Sequence, residues 1–421
     1  MDITGPEDPV YCEGLPGLEF GGNSSPLKYK NHASFFYGRT GNNWLLGSPE
    51  KYYLLRRKGA FERALFERVI TAVVHNCNIS DARHAGYYSV CGLALRLRDL
   101  YKWEKGLAPW VEDEPSAILE WIGKREELWE NLTDENFQEI TIKGLSYDPF
   151  ETKAINGALQ DHVLFYGAGY VHSLKPTFFL ADLEEKRRIQ GHSVTILGKE
   201  LARDLVTLPA LVQDGSVIIR RESGEHFLWN QIVYLRNSGR PALAFALRAH
   251  GLKDDHPKTL QENLTALFAD EMDTYIHHEL GELIDSTFDA TLWREMIAAF
   301  PHSPIELLAR TVKDLLADTH EYGTLPHIVR NKKRASLGFY AAFLDGFRKV
   351  VFPEILEAFH EFLNREEWPH IEKAISSGRN TALRFAQTMS SLFLRGKEKG
   401  DFIWVEKEIE AQLLKPLGVN K

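Results

Sequence analysis

From the polar hinge Lys253-Asp254-Asp255-His256-Pro257 to the end of this 421-residue chain, the apolar residues keep a helical period. That stretch has to fold as helices packed on helices, because each amphipathic stripe needs a partner to cover it. Ser303-Pro304-Ile305-Glu306 reads as a capping box with Pro at the first helical position, starting a helix that runs to about Asp318. Further helices are expected at about 336–364, 366–376 and 379–395, with Pro353 kinking the longest. The C-terminal portion is therefore expected to be a bundle of about five or six helices.

Upstream the pattern differs. Residues 1–48 are rich in Gly, Pro, Asn and Ser and read as an extended arm or packed loops. Ser48-Pro49 is positioned to start a helix over about 50–75, Ser80 to cap a second reaching about Glu104, and Pro115 to open a third through Trp129. From about Asn136 the helical period gives way to short β-branched and aromatic runs, at 137–142, 163–166, 177–180 and 194–197, which predict a small antiparallel sheet. Gly167-Ala168-Gly169 reads as a turn; it lacks the glycine spacing of a dinucleotide loop, so no nucleotide cofactor is expected. Helical patterning resumes at about Ser216 and continues through Phe227–Leu235. The fold class expected is mainly α: a helical N-terminal layer with its arm (1–135), an α+β middle region with a small sheet (136–252) and a C-terminal helical bundle (253–421). No repeat of solenoid length interrupts this order.

With 44% hydrophobic and 11% aromatic residues the chain can fill real cores. A net charge of −9, from 59 acidic against 50 basic residues, argues against nucleic acid or an anionic membrane surface as a partner. The acidic, Pro-interrupted N-terminus lacks the basic start and apolar core of a signal peptide, and no stretch is apolar enough for a membrane span. Three cysteines, Cys12, Cys77 and Cys91, are too few and scattered for a disulfide framework. A cytoplasmic setting is expected, and the oligomeric state is left open.

The chemistry concentrates on the helix expected from Pro257 to Asp285. Glu271, His278 and Glu282 recur there at spacings of seven and four, which at about 100° per residue keeps them within roughly 40° of one another. His278 and Glu282, about 6 Å apart along the axis, can share one ion; Glu271, about 10.5 Å from His278, joins them only through a second ion or a network between them. By the same wheel His277 and Glu279 point elsewhere. Tyr275 lies on nearly the same face, as a packed residue or a neighbour of the ions. The capping-box helix adds Asp314, Asp318 and Glu321 along one polar face, while His320 points away. Acids in excess of imidazoles form the hard oxygen and nitrogen set used by one or two iron or manganese ions in bundle cores. An ordinary alternative is a boundary of ion pairs, with these acids held by Lys or Arg such as Arg310 and Lys313.

Weaker constellations accompany this one. Glu357 and His360 have the Glu-x-x-His spacing of di-metal bundles, yet Ile355, Phe359 and Phe362 mark the buried face and leave the pair on the polar side. Asp345 interrupts an apolar run, where Arg348 and Lys349 are spaced to satisfy it. His75, Cys77, His84 and Cys91 have zinc-ligand chemistry but poor spacing, and packing roles are expected for them. No nucleophile elbow, phosphate loop, metalloprotease helix or kinase signature is present. The basic clusters at 186–188, 220–221 and 330–334 read as solvated faces.

Ser80-Asp81-Ala82-Arg83-His84, Gly198 to Asp204, His277 to Asp285 and Leu307 to Asp318 together resemble an uncharacterised bacterial family, over most of the chain. That resemblance implies no activity. The Glu271 to His278 interval is also similar to the first metal-binding helix of haem-oxygenase-like di-iron oxidases, which implies oxygen chemistry in an all-helical fold. Those enzymes finish with a helix carrying His, an acid and His at four-residue intervals, which this chain does not have. The function expected is a metal-binding helical protein, a non-haem di-iron or manganese oxidoreductase acting on a small molecule. The alternatives are a scaffold or partner-binding protein with ion-pair networks and a hydrolase whose acids work without metal.

Overall fold

The computed structural model describes residues 60–171, 174–344 and 346–419. The expected N-terminal arm, the Ser48-Pro49 helix start, Cys12 and Asp345 lie outside these residues.

The N-terminal layer consists of α1 (Ala60–His84), α2 (Val90–Lys105) and α3 (Pro115–Leu132). Ser80 was expected to cap a helix, but α1 runs through it: the buried hydroxyl donates to the Pro176 carbonyl, and the true cap is Ser89, which accepts from the Gly92 N–H at 3.1 Å. Gly106, at φ 65°, ends α2 in the left-handed conformation that suits glycine.

A hairpin of β1 (Ile140–Ile142) and β2 (Leu145–Tyr147) and the short α4 (Thr152–Leu159) lead into a five-stranded sheet. Its strands are β3 (Leu164–Val171), β4 (Lys175–Ile189), β5 (His192–Arg203), β6 (Ala210–Gln213) and β7 (Ser216–Arg220), in spatial order β3-β4-β5-β7-β6. All neighbours are antiparallel except β5 and β7, which run parallel. Gly167-Ala168-Gly169 is not a turn but the middle of β3. A Cβ on Gly167 would collide with the Phe179 ring crossing it from β4, so glycine is needed for packing. Helix begins at Arg221 rather than Ser216, because Val217, Ile218 and Ile219 are strand residues buried on both faces of the sheet.

The helices that follow are α5 (Arg221–Val233), α6 (Arg240–Ala249), α7 (Pro257–Ile284), α8 (Ala290–Ala299), α9 (Pro304–Thr319), α10 (Thr324–Arg330), α11 (Arg334–Phe343), α12 (Gly346–Val351), α13 (Pro353–Arg365), α14 (Trp368–Lys399) and α15 (Phe402–Ile409). The expected 336–364 helix is three segments, and Pro353 opens the third instead of kinking one long helix. The expected 366–376 and 379–395 helices are one helix of 32 residues. Gly378, in the gap between the two expected helices, sits inside it, and a Cβ there would strike the Phe352 ring. The capping box holds with one change: Ser303 Oγ accepts from the Glu306 N–H at 3.2 Å, while Glu306 reaches back to the His302 N–H at 2.7 Å.

One core joins the sheet to the bundle. Val194, Ile196, Ala210, Val217 and Ile219 pack with Leu228, Leu264, Phe268, Leu315 and their neighbours. The 28-residue α7 lies at the centre, against α5, α9, α10, β6 and β7. Among the described residues, no helix is long and apolar enough to cross a membrane.

Candidate metal centre

The site is set by how closely α7 and α9 approach. A Cβ on Gly281 would collide with the Ala317 carbonyl oxygen, so only glycine permits this crossing. His278, one turn earlier, then meets Asp318 of α9: its ring Nδ1–H donates to Asp318 Oδ1 at 2.8 Å. Tyr340 of α11 donates to the other oxygen of Asp318 at 2.9 Å. The remaining ring nitrogen, Nε2, is buried with no hydrogen-bond partner. Burial alone would lower the basicity of His278, but the Asp318 charge and hydrogen bond, with Asp314 and Glu279, outweigh it and lift the ring to about 10. Asp318 shifts the other way: burial opposes its charge, and His278, Arg348 and Tyr340 hold it below the usual carboxylate range.

Around this pair the acids crowd. His278, Glu279 and Glu282 each place one ligand atom within 4.8 Å of the others. Glu279 is 0% exposed, and neither of its oxygens has a hydrogen-bond partner. Its carboxyl is pushed well above the usual range, first by burial and then by the Glu282 charge. Asp314 is buried too, with Oδ2 unpartnered; burial pushes it up to about 6, against the pull of His278 and Arg348. Glu282 receives the ammonium of Lys313.

Of the residues singled out in the sequence, His278, Glu282 and Asp318 are thus brought together, and Asp314 stands beside them. Glu271 is not with them: it accepts from Ser336 Oγ at 2.8 Å and faces His250 Nε2 at 3.2 Å. Glu321 lies exposed beyond the end of α9, where its backbone carbonyl accepts from Arg330 at 2.6 Å, and its side chain is no part of the cluster. His277 does point elsewhere, to the Tyr322 carbonyl at 2.7 Å and against the His327 ring. Glu279, expected to point away as well, is instead the most deeply buried acid of the group. The signal that could have found it is the density of polar residues in a helix whose residues 276–281 are all buried.

Glu271, His278 and Asp318 share the wall of a cavity of about 100 Å³. Phe227, Leu228, Ile328 and Phe339 make much of its surface, and Tyr340 and Arg348 stand at its polar end with His278 and Asp318. Tyr275 also lines it, as a packed ring between Phe227 and Phe268.

The other constellations dissolve into local partners. His75 faces Glu135 at 3.1 Å, Cys77 donates to the Phe178 carbonyl at 3.2 Å and His84 bonds the Ser80 carbonyl at 2.7 Å, so these three turn to separate partners. Glu357 and His360 are exposed. The basic clusters are not bare faces: Arg187 pairs with Asp273 at 3.4 Å, Arg221 with Glu184 at 2.8 Å, and Arg220 is buried against Glu200 at 2.7 Å.

Residues 68–220 match the model of a family of unknown function (DUF6866), N-terminal domain, and residues 225–412 match the C-terminal domain of the same family. No curated protein and no solved structure matches the chain.

Proposed function

Since the chain belongs to the DUF6866 family, whose function is unknown, its role is argued from the site itself, and we propose that it binds a divalent first-row metal ion between α7 and α9. The observation that carries this reading is Glu279: a buried carboxylate with no hydrogen-bond partner on either oxygen, beside the equally unpartnered Nε2 of His278 and within ligand distance of Glu282. Orphaned buried polar atoms are costly, and a cation satisfies all of them together. His278, Glu279 and Glu282 would hold the ion, with Asp314 adjacent. Asp318 supports the arrangement, since a carboxylate bonded to Nδ1–H fixes the tautomer that leaves Nε2 free to ligate. Several acids with one imidazole suit manganese or iron better than a zinc site. With Glu271 engaged by His250 and Ser336, one ion fits this geometry better than two. An ion at the edge of an apolar cavity would have a place for a small-molecule substrate, in line with a metal-dependent oxidoreductase.

The competing reading, a scaffold stabilised by ion pairs, draws on the Glu282–Lys313 and Arg379–Asp285 pairs, the latter at 2.6 Å. Elemental analysis of protein purified without chelators separates them. About one ion per chain is expected, lost in His278→Ala with Glu279→Gln and retained in Glu271→Gln. Equal metal content in all three proteins would overturn the ion reading and favour the scaffold.

A further inference from the structure

The cavity beside the ion-binding face keeps one buried amide, that of Gln231, which the fold leaves without a hydrogen-bond partner. The charges on the wall are already engaged: Asp318 by His278 and Tyr340, Arg348 by the Asp318 and Asp314 charges, and Glu271 by Ser336 and His250. The hydroxyl protons are spent as well. Ser336 donates to Glu271 and Tyr340 to Asp318, while Thr274 donates to the Glu271 carbonyl at 2.6 Å and Thr324 to the Thr274 carbonyl at 3.2 Å. Burial and then the Glu271 charge push the Tyr275 phenol up, so it adds no charge to the wall. Gln231 differs from all of these. It follows Phe227 by four residues and Leu228 by three on α5, so helical spacing puts its amide on the stripe that walls the cavity. The residue is 8% exposed, and its side chain bonds no described residue. A buried amide in that state costs free energy, which an occupant able to pair with it recovers.

That amide decides the head of the occupant. Its oxygen accepts and its NH2 group donates, side by side. A primary carboxamide presents the complementary pair and makes both bonds at once. A carboxylate only accepts and an ammonium only donates, and either would carry a net charge into a wall whose charges are matched. The body is set by Phe227, Leu228, Ile328 and Phe339, which ask for an apolar chain. A protein cavity of about 150 Å³ accommodates benzene. At about 100 Å³ this one is smaller, which favours a flexible chain over a ring carrying substituents. We propose that the cavity is a binding site for a short-chain aliphatic carboxamide, held by Gln231 and of about four to six carbons by comparison with the benzene-sized cavity. The inference goes beyond the ion reading, because it needs only the cavity walls and Gln231.

Pentanamide, pentanoate and pentylamine, equal in chain length and different in head, are the probes. Calorimetric titration and thermal unfolding of the full chain, as purified and after chelation, read their binding. Pentanamide is expected to bind and to raise the unfolding temperature in both states, with pentanoate and pentylamine weaker by tenfold or more. Gln231→Met keeps the unbranched shape and loses the amide, and is expected to reduce pentanamide affinity by at least tenfold; Gln231→Asn, which keeps a shorter amide, should lose less. Without ligand, Gln231→Met should unfold at the parental temperature or above it, since no protein group loses a bond. A lower unfolding temperature would show that the amide serves the fold instead. That result, pentanoate or pentylamine binding as tightly as pentanamide, Gln231→Met binding pentanamide like the parent, or no pentanamide binding at about 10 mM would each overturn the proposal. Because metal content is read separately, failure of the ion reading leaves this result standing, and failure here leaves the ion reading standing.

Discussion

His278 and Glu279, side by side on α7, hold more protons in the folded metal-free protein than the unfolded chain would. The folded ring of His278 titrates at about 10 against 6.5 unfolded, so its contribution to stability is complete below 6.5 and is lost as pH rises towards 10. Glu279 and Asp314, both raised, act in the same direction, Asp314 up to about 6; Asp318, lowered, acts oppositely and loses its contribution as pH falls below 3.8. Chelated protein should therefore lose stability between 6.5 and about 9.5, at up to about 1.4 kcal/mol per pH unit, and His278→Gln should flatten that slope. Urea unfolding midpoints across the range measure it; equal slopes in the two proteins would remove His278 as the cause. A bound ion reverses the sign, since ligation requires deprotonated groups. The same residues show where sequence reading stops. A helical wheel placed His278, Glu282 and, through the partner helix, Asp318 correctly, because spacing alone sets their directions. It pointed Glu279 away from the site because it treats one face of a helix as the only functional one, and between Ile276 and Gly281 every face of α7 is buried.

At the scale of elements, the site depends on a close helix crossing more than on any ligand. Gly281→Ala would place a methyl against the Ala317 carbonyl and force α7 and α9 apart, which overpacking of this kind costs about 1–3 kcal/mol. The His278–Asp318 bond spans the same crossing, so metal content should fall together with stability. Gly123→Ala on α3 is the control: a Cβ there meets nothing within 4 Å, and the better helix propensity should stabilise by about 0.5–1 kcal/mol. Thermal unfolding and elemental analysis of both variants test the point; Gly281→Ala with parental stability would show that the crossing yields freely. Short-range signals explain which elements were legible. Ser303 and Pro304 announce α9, and Pro115 announces α3, through caps that act within a few residues. Asp214-Gly215, with φ of 54° and 75°, carries an equally local signal, a two-residue turn with both residues left-handed. Overlooking it hid β6 and β7 and moved the next helix forward by a strand. Gly167 misled for the opposite reason: it answers to the Phe179 ring, as Gly378 answers to Phe352, and only the tertiary fold brings either ring near.

At the scale of the molecule, the boundary between the two family domains falls between residues 220 and 225, at the junction of β7 and α5. The packing does not divide there. Glu200, fully buried on β5, accepts from Arg220 at 2.7 Å on one side of that boundary and meets Ser223 Oγ at 2.8 Å, next to its other side. Glu222 accepts from the Glu200 N–H at 2.7 Å and from Trp103 in the N-terminal layer at 3.3 Å. The face of β5, β6 and β7 formed by Val194, Ile196, Ala210, Val217 and Ile219 belongs to the same core as the helices around the metal centre. None of this was legible in the sequence, because the pairing of β5 with β7 and the choice of which sheet face the bundle covers are non-local. The three-region division predicted from periodicity marks changes of secondary structure, which need not be changes of core. Separating the halves would expose that face and strip Glu200 of its Ser223 bond, and a hydrogen bond to a charged group of this kind contributes about 1.5–3 kcal/mol. Fragments 68–220 and 225–412 should therefore fail to fold alone, and the full chain should unfold in a single calorimetric transition. Two resolved transitions, or a cooperative unfolding curve from either fragment, would show that the sheet and bundle are separable. If they are inseparable as the shared core requires, substitutions on the sheet face of that core, such as Ile219→Ala, should weaken ion binding through α7 without touching a ligand.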